Sequence, residues 1–312
     1  MLVDDSARNR LIGIGISSVA VLFFSTLDGL GKYLIQFQPL VQVVWLRFAI
    51  HVALTAIFVG PLYGPRLYRT RQLKLQLFRA TLMGTMTGLN FAALQTLQLA
   101  ETGSIMFLAP LLIAGLGWFV FGEQLDLGRW LAILTGFIGV LVILQPGTGQ
   151  FKLAMLLPLA AAFGIAAFNL VSRRLAATDA PVTTQFLSGL GTAVVLAPFA
   201  LWNWQAPESL SQWLLLIALG SSGAVGHYLL ALSFRYAPAS TLAPFQYFQI
   251  FWMIAIGYFV FGDLPTWTVV LGSGIVVASG LYLLYRESQV KAVAKPSASH
   301  PGPGSGAPSQ PD

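Results

Sequence analysis

"FVFGE" occupies residues 119–123, and "FVFGD" occupies residues 259–263, 140 positions further along the chain. Each pentapeptide closes a long apolar run, and the similarity extends upstream of both. The segment "LQLAETGSIMFLAPLLIAGLGWFVFGE" (97–123) resembles "FRYAPASTLAPFQYFQIFWMIAIGYFVFGD" (234–263) when three extra residues are allowed in the second copy. This match predicts that the chain contains two copies of one structural unit.

A second pair of positions repeats with nearly the same offset. Lys32 precedes Pro39 by seven residues, and Arg174 precedes Pro181 by seven residues, so both pairs are separated by 142 positions. Two agreeing offsets favour an internal duplication over a chance match of common apolar residues.

The composition indicates a membrane protein. Of the 312 residues, 56% are hydrophobic and only 9% are charged, whereas soluble domains carry about 25% charged residues. The net charge is +6, but the Lys and Arg residues stand in short clusters between apolar runs, which does not fit a nucleic-acid surface. The chain has no cysteine, so disulfides, zinc thiolates and thiol nucleophiles are excluded.

Ten segments approach the roughly 20 apolar residues that a helix needs to cross the hydrocarbon core. They are long and do not alternate in polarity, which argues against membrane strands. The predicted spans are residues 11–30, 39–60, 76–98, 102–121, 128–145, 152–171, 181–201, 211–233, 238–261 and 267–285. The first lacks a small-residue cleavage site and is interpreted as a retained span rather than a removed signal peptide.

The distribution of Lys and Arg predicts the orientation, because cytoplasmic loops carry an excess of these residues. With the N-terminus in the cytoplasm, the outside receives only Lys32 and Lys152, and Arg47 lies within a span. The cytoplasmic side receives Arg8, Arg10, Arg66, Arg69, Arg71, Lys74, Arg79, Arg129, Arg173, Arg174, Arg235, Arg286, Lys291 and Lys295. Fourteen cations against two predict that both termini are cytoplasmic.

These boundaries give four regions. We expect a cytoplasmic N-terminal segment (1–10), a first five-span repeat (11–145), a second five-span repeat (152–285) and a cytoplasmic tail (286–312) that is rich in Pro, Gly and Ser and predicted to be disordered. Since five is odd, the second repeat enters the membrane from the opposite side. Inverted repeats of this kind are the architecture of many secondary transporters. The predicted fold is therefore an all-α membrane protein of ten helices in two inverted five-helix repeats.

The sequence resembles the drug/metabolite transporter superfamily, in its ten-span form with two EamA domains. The similarity covers residues 10–285 and rests on "FGE" ending at Glu123, "FGD" ending at Asp263, "PLVQVVWLR" from Pro39, "ALQTLQLAETGSIMFLAPLL" and "RYAPASTLAPFQYFQIFW". Aspartate at 263 is a departure, since glutamate is usual there. The resemblance implies a transporter of small organic metabolites in the bacterial inner membrane.

The resemblance also narrows the substrate class. The stretch 28–48, with "DGLGKY" and "WLRF", is similar to members that handle riboflavin or S-adenosylmethionine. Export of amino acids, amines or other metabolites stays open, as do the direction of transport, the coupling ion and the choice between a monomer and a homodimer.

Two charged residues within spans need a reason, because charge is costly in a bilayer. Asp28 stands four residues before Lys32, which places both on one helical face. Asp28 is either half of an ion pair or a proton-coupling carboxylate. Arg47 either anchors Asp28 or backbone carbonyls, or it binds the substrate.

Amide and aromatic residues recur along the later spans and are predicted to line a substrate cavity. Such a lining suits a planar, neutral or zwitterionic ligand, although any single amide or the lone His227 could instead bond between helices. Pro244 is expected to loosen the turn that holds Gln246, Tyr247 and Gln249. The candidates are Asn90, Phe91, Gln95, Asn169, His227, Tyr228, Gln246, Tyr247 and Gln249.

Several further expectations concern structure. Pro110 and Pro244 are not separated by either repeat offset, so a symmetric pair of broken helices is not predicted. Glu123 and Asp263 are expected to hydrogen-bond helix ends. Small faces for close helix packing are predicted at Gly84, Gly88, Gly220, Gly223 and Gly226.

Other function classes lack support in the sequence. It contains no His-Glu-x-x-His, no Gly-x-Ser-x-Gly, no paired intramembrane carboxylates and no nucleotide-binding loop. The three histidines, His51, His227 and His300, do not form a metal-ligand pattern. We therefore expect a transporter without a cofactor, driven by a gradient or by exchange, whose partners are the lipid bilayer and a small-molecule substrate.

Overall fold

The computed structural model describes residues 6–122 and 124–293. Glu123, which was predicted to bond a helix end, lies outside the described residues, as do residues 294–312 of the predicted disordered tail (286–312). Residues 286–293 of that tail are helical and continue the last helix. Within the described ranges the chain is all-helical, without a strand.

Thirteen α-helices follow one another through the described part of the chain. Two 3₁₀ turns, Gly64–Leu67 and Leu153–Met155, precede the fourth and the eighth helix. The helices are α1 (Ala7–Leu34), α2 (Leu40–Phe58), α3 (Gly60–Tyr63), α4 (Leu73–Leu94), α5 (Leu99–Met106), α6 (Ala109–Phe121), α7 (Leu127–Leu144), α8 (Leu156–Leu175), α9 (Pro181–Trp202), α10 (Leu210–Ser233), α11 (Ala239–Gln246), α12 (Gln249–Phe261) and α13 (Trp267–Val293).

Each predicted span coincides with one long helix or with a consecutive pair of helices. In the described ranges, nine spans are long and apolar enough to cross a bilayer. Helix α4 is not among them, because Lys74, Gln76, Arg79 and Asn90 make it more polar. The last three of these side chains are nevertheless buried, so the polar face of α4 is turned toward other helices.

The long helices pack in pairs that join the two halves of the sequence. Helix α1 lies along α10, and α8 lies along α4; α2 packs on α9, and α7 packs on α13. Helix α12 contacts α1, while α6 contacts α8. Every long helix of one half therefore has its main contacts in the other half.

Two hydrogen bonds, one at each end of the α2–α9 pair, define the two faces of the bundle. The side-chain amide of Gln42, near the start of α2, donates to the Gln205 carbonyl after the end of α9 (2.7 Å), and the Thr183 hydroxyl near the start of α9 donates to the Arg66 carbonyl after α2 (2.9 Å). Helices α2 and α9 are thus antiparallel. The 22 residues of α9, at 1.5 Å per residue, place the two faces of the bundle about 33 Å apart. We call these the Gln42 face and the Thr183 face.

Two spans are broken at equivalent positions, which the sequence analysis did not predict. Residues 107–108 separate α5 from α6, and residues 247–248 separate α11 from α12. The two breaks are 140 positions apart, the offset of the repeated pentapeptide. The second break lies three residues after Pro244 rather than at it, and the first lies just before Pro110.

The repeated pentapeptide ends the second half of each broken span. Gly122 (φ 67°) and Gly262 (φ 72°) both adopt the left-handed conformation, which glycine adopts without a steric penalty. The Gly122 amide donates to the Trp118 carbonyl, and the Gly262 amide donates to the Tyr258 carbonyl, both at 3.1 Å. The local role of the pentapeptide is therefore to terminate a helix.

Four of the five predicted packing glycines contact a neighbouring helix. A Cβ added at Gly84, Gly220, Gly223 or Gly226 would come within 3.1 Å of another helix, whereas Gly88 has no such atom within 4 Å. Close packing at these four positions confirms their predicted role, and Gly88 is the exception.

Candidate functional site

A polar cluster lies between α1, α2, α4 and α10, and we call it the central cluster. The side-chain amide of Asn90 donates to Asp28 Oδ1 at 2.9 Å, and Arg47 Nη1 donates to the Thr87 hydroxyl at 3.3 Å. All four side chains are at most 9% exposed. The cluster therefore places an acidic and a basic side chain, Asp28 and Arg47, in one buried region.

The central cluster has hydrogen-bonding capacity left over. Asn90 Oδ1 and Arg47 Nε are buried and have no hydrogen-bond partner within the described residues. Leaving a buried polar atom unpaired costs about 1–3 kcal/mol. One acceptor and one donor are therefore available to a ligand between α2 and α4.

The structure corrects the predicted Asp28–Lys32 ion pair. Lys32 Nζ lies 2.5 Å from Asp263 Oδ2, at the Gln42 face. Asp28 is instead bonded to Asn90. The i, i+4 spacing does place both residues on one side of α1, but the nearer acidic partner of Lys32 comes from the end of α12. Asp263 therefore forms an ion pair rather than only the predicted helix-end hydrogen bond.

Two histidines extend the central cluster toward α10. The ring centroids of His51 and His227 are 5.7 Å apart, and the ring of Phe24 lies 5.0 Å from that of His227. A Cβ at Gly223 would come within 3.6 Å of His51 Nδ1 and 3.9 Å of Arg47 Nε. The small residue at 223 thus lets α10 approach these polar groups.

The second helix break carries three of the predicted residues. The ring of Tyr247 lies 5.1 Å from that of Phe107 at the first break, so the two breaks meet. The Tyr247 hydroxyl is buried without a hydrogen-bond partner in the described part of the chain and points at Gly280. Gln246 and Gln249, on either side of the break, are half-buried.

One hydrogen bond connects this break to the helix that carries Asp28. The Ser25 hydroxyl donates to the Gln249 carbonyl at 3.3 Å as well as to the Val21 carbonyl at 3.0 Å. Ser25 lies three residues before Asp28, about 4.5 Å along the helix axis. The break and the central cluster are therefore neighbours along α1.

Four predicted site residues lie elsewhere. Phe91 is fully buried in an apolar core and packs against Gly31. Gln95 is exposed at the end of α4, and Tyr228 is 62% exposed. Asn169 is exposed, and its amide donates to the Ile165 carbonyl of its own helix. A polar or aromatic residue type does not by itself show which way a helical side chain points.

Sequence reasoning missed Thr87, Ser25 and the contact of His51 with the central cluster. Thr87 lies three residues before Asn90, and Ser25 lies three before Asp28. Residues three apart share a helical face. A search for polar residues one helical turn before each charged or amide candidate would therefore have identified Thr87 and Ser25.

A second polar network lies at the Thr183 face. Asp179, between α8 and α9, accepts hydrogen bonds from Gln76 Nε2 at 2.8 Å, from the Arg71 backbone amide at 3.4 Å and from the Thr70 hydroxyl. Burial acts to raise the pKa of Asp179, but these hydrogen bonds outweigh it, so the pKa lies below the ordinary 3.8. This carboxylate fastens the segment before α4 to the loop before α9.

Arg79 belongs to the same network and is not a loop cation. It is 5% exposed, donates to the Ser172 hydroxyl at 2.8 Å and to the Thr184 carbonyl at 3.0 Å, and lies 3.8 Å over the Phe168 ring. Arg79 thus holds α4 against α8 and α9 through neutral acceptors, which is a structural role.

Chemically, the site offers groups that can bind a ligand. It combines unpaired amide, guanidinium and phenol groups with the rings of Phe107 and Tyr247. The described residues contain no group of three or more His, Asp or Glu side chains that could hold a metal ion. A ligand that presents both flat apolar surface and hydrogen-bonding atoms would satisfy these groups.

Comparison with known proteins gives a consistent family. The EamA-like transporter family matches residues 11–145 and again residues 152–286. A riboflavin transporter of Vibrio cholerae is 30% identical over 279 residues, covering 86% of this chain and 92% of that protein. An S-adenosylmethionine uptake transporter of Rickettsia bellii is 28% identical over 298 residues, covering 94% and 99%.

Two matches of lower sequence identity, one relative and one solved structure, cover most of the chain. A pseudopaline exporter of Pseudomonas aeruginosa is 22% identical over 273 residues, covering 87% of this chain and 95% of that protein. One solved crystal structure has a TM-score of 0.62 at 20% identity, covering 89% of this chain and 98% of that chain, and it supports the fold alone. With nine helices that can span a bilayer among the described residues and with bacterial transporters as relatives, this is a multi-pass protein of the bacterial inner membrane.

Proposed function

Because this chain belongs to the EamA-like transporter family, we propose that it moves a planar heteroaromatic metabolite, riboflavin first, across the inner membrane by alternating access. The observation that carries the proposal is the meeting of the two helix breaks beside the central cluster. The rings of Phe107 and Tyr247 meet at the boundary between the two halves, and buried polar atoms of Asn90, Arg47 and Tyr247 lack a hydrogen-bond partner among the described residues.

The proposed architecture is ten spans in two inverted repeats, with both termini in the cytoplasm. Helix α4 counts as the tenth span, since its polar residues Gln76, Arg79 and Asn90 are buried. Two features support the inverted relation: the reciprocal pairing of α1 with α10 and α8 with α4, and the contact of Phe107 with Tyr247. These two residues are 140 positions apart, so equivalent residues meet where a two-fold axis between the repeats would pass.

The substrate class follows from the groups at the break. Stacking on Phe107 and Tyr247 adds about 0.5–1.5 kcal/mol per aromatic pair beyond area burial. Ring carbonyls and nitrogens of a flavin could pair with Gln246, Gln249, the Tyr247 hydroxyl or Asn90. Each pairing avoids a desolvation cost of about 1–3 kcal/mol. The riboflavin transporter of Vibrio cholerae, at 30% identity, supports this choice.

The charged pair of the central cluster has a separate proposed role. Asp28 is the candidate proton-coupling carboxylate, since it is buried in a span and bonded to a neutral amide rather than to Lys32. Arg47 lies in the same cluster with a free Nε and is proposed to contact the substrate. His227 completes the lining from α10.

The test is growth of a bacterial riboflavin auxotroph that cannot import the vitamin. Expression of this chain should restore growth at low external riboflavin, and Gln246→Ala should weaken the rescue. Gln150→Ala is a matched control, because Gln150 is exposed in a loop. If the wild-type protein reaches the membrane and gives no rescue, riboflavin uptake is refuted.

Uptake of S-adenosylmethionine is the second candidate, and a specific observation favours it. Asp28 and Arg47 place opposite charges in one buried cluster, which would complement a zwitterion. The Rickettsia bellii uptake transporter covers 94% of this chain. Rescue of a strain dependent on external S-adenosylmethionine, without riboflavin rescue, would select this alternative. Resistance to an added amine or amino acid would instead indicate an exporter.

A further inference from the structure

At the Gln42 face, a part-buried ion pair links the two halves of the chain. Lys32, at the end of α1, lies 2.5 Å from Asp263 and 4.8 Å from the ring centroid of Phe261, where α12 ends. The side chains of Lys32 and Asp263 are 13% and 26% exposed. The pair is thus partly shielded from solvent, and Lys32 contacts the first and the last residue of "FGD", Phe261 and Asp263.

At the Thr183 face, the same arrangement recurs with the halves exchanged. The guanidinium carbons of Arg173 and Arg174, at the end of α8, lie 4.6 Å and 5.5 Å from the ring centroid of Phe121, where α6 ends. Arg174 is the counterpart of Lys32 by the 142-residue offset, and Phe121 is the counterpart of Phe261 by the 140-residue offset. In each case a cation of one half meets the pentapeptide of the other half.

The two contacts lie on opposite faces of the bundle. Lys32 stands just before the start of α2, next to Gln42, whereas Arg173 and Arg174 stand just before the start of α9, next to Thr183. These are the two ends of the antiparallel pair α2 and α9, about 33 Å apart. The two contacts can therefore be perturbed separately by substitution.

Each helix that carries the pentapeptide is joined to the first half of its span through a break. Helix α12 is joined to α11 only through the break at residues 247–248, and α6 is joined to α5 through the break at 107–108. The span that contains α12 has 17% of its most apolar stretch buried, against 33–44% in the other eight. The span that contains α6 lies at the other end of this range, at 44%. What the two helices share is the break that precedes each of them, and hinges lie at element ends.

We propose that α12 and α6 are the two gates of this transporter, and that the crossed contacts Lys32–Asp263 and Arg173/Arg174–Phe121, both formed in this structure, each hold one gate shut. This rests on the proposed alternating access but not on the identity of the substrate. Lys32 and the two arginines are then positioning residues, which set the balance between the outward-open and inward-open states. It also gives the repeated pentapeptide a purpose: it is the free end of each gate.

The test is the accessibility of a single introduced cysteine, since the chain has none of its own. With Gln246→Cys at the break, a membrane-impermeant thiol reagent is applied from outside to cells and from inside to inverted vesicles. Lys32→Gln should raise labelling from outside and lower labelling from inside. The double variant Arg173→Gln/Arg174→Gln should do the reverse. Each change should be roughly fivefold, which corresponds to about 1 kcal/mol for the loss of one ion pair or one cation–ring contact.

Matched variants separate gating from misfolding. Lys152→Gln and Arg235→Gln remove exposed cations and should leave both labelling rates unchanged. Lys32→Arg and the exchange Lys32→Asp/Asp263→Lys keep an ion pair and should restore the wild-type ratio, provided that each variant elutes as a monodisperse peak.

The outcomes are distinguishable from those of the riboflavin test. Opposite labelling shifts without riboflavin rescue would retain the gates and refute the substrate. Riboflavin rescue with labelling unchanged by Lys32→Gln, or shifted in the same direction from both sides, would overturn the gates and retain the transporter.

Discussion

Replacing Asp28 by asparagine is expected to abolish gradient-driven accumulation while leaving substrate exchange intact. The carboxylate is 9% exposed and accepts a hydrogen bond of 2.9 Å from Asn90. The amide of Asp28→Asn has the same shape and can still accept that bond. It cannot, however, bind and release a proton between the two faces, so the substrate gradient loses its coupling to the pH gradient.

The magnitudes separate this loss from unfolding. A hydrogen bond to a charged group is worth about 1.5–3 kcal/mol and a neutral one about 0.5–1.5 kcal/mol, so the weaker bond in Asp28→Asn costs about 1 kcal/mol. With the loss of the carboxylate charge near the buried Arg47, the total cost is at most about 3–5 kcal/mol. Proteins are stable by about 5–15 kcal/mol, and the variant should therefore fold. One carboxylate carries one proton, and each pH unit supplies about 1.36 kcal/mol, or about tenfold accumulation of a neutral substrate.

The assay is uptake into proteoliposomes with the membrane potential clamped and a gradient of two pH units in either direction. The wild type should accumulate substrate up to about a hundredfold in one direction, and Asp28→Asn should stop at equal concentrations. Counterflow exchange at uniform pH should be retained. Accumulation by Asp28→Asn with unchanged pH dependence would refute the coupling role. Loss of exchange together with expression would show that Asp28 is structural.

Two further expectations test other parts of the molecule. Reporter fusions after Arg69 and after Arg174 should report cytoplasm, and fusions near Glu208 should report periplasm; a periplasmic signal after Arg174 would contradict the inverted repeat. Asp179→Asn should lower the free energy of unfolding by about 2–4 kcal/mol, because one bond is lost and the bonds from neighbours such as Gln76 change from charged to neutral acceptance. Since the pKa of Asp179 is lowered, its stabilisation is present above the unfolded value of about 3.9 and is lost as the pH falls through the folded value. Thermal unfolding of the wild type and Asp179→Asn in detergent should converge at low pH, and equal melting temperatures at pH 7 would count against the network.

The sequence predicted the helical class and the family because both depend on properties that are local or repeated. Runs of about 20 apolar residues specify spanning helices, and the two copies ending in "FVFGE" and "FVFGD" were recognisable without coordinates. Positions such as Asp28 and Arg47 stood out because a charge within an apolar run needs a partner wherever the helix packs.

The direction of each helical face could not be read from residue type. Phe91 on α4 is fully buried, yet Tyr228 on α10, also an aromatic candidate, is 62% exposed. In a bilayer both lipid and helix neighbours accept apolar side chains, so the hydrophobic pattern gives a weak signal of which face is inward. The contacts of α4 with α1 and α8 determine which of its faces is buried.

The partners of the charges were likewise decided by the tertiary structure. By itself the sequence determined that this protein has helices long enough to span a membrane, a duplicated plan and buried charges that require compensation. Only the packed bundle determined that Lys32 pairs with Asp263, 231 residues away, and that the two breaks meet at Phe107 and Tyr247. The physical reason is that ion pairs and ring contacts act over a few ångströms, between helices whose proximity no local segment encodes.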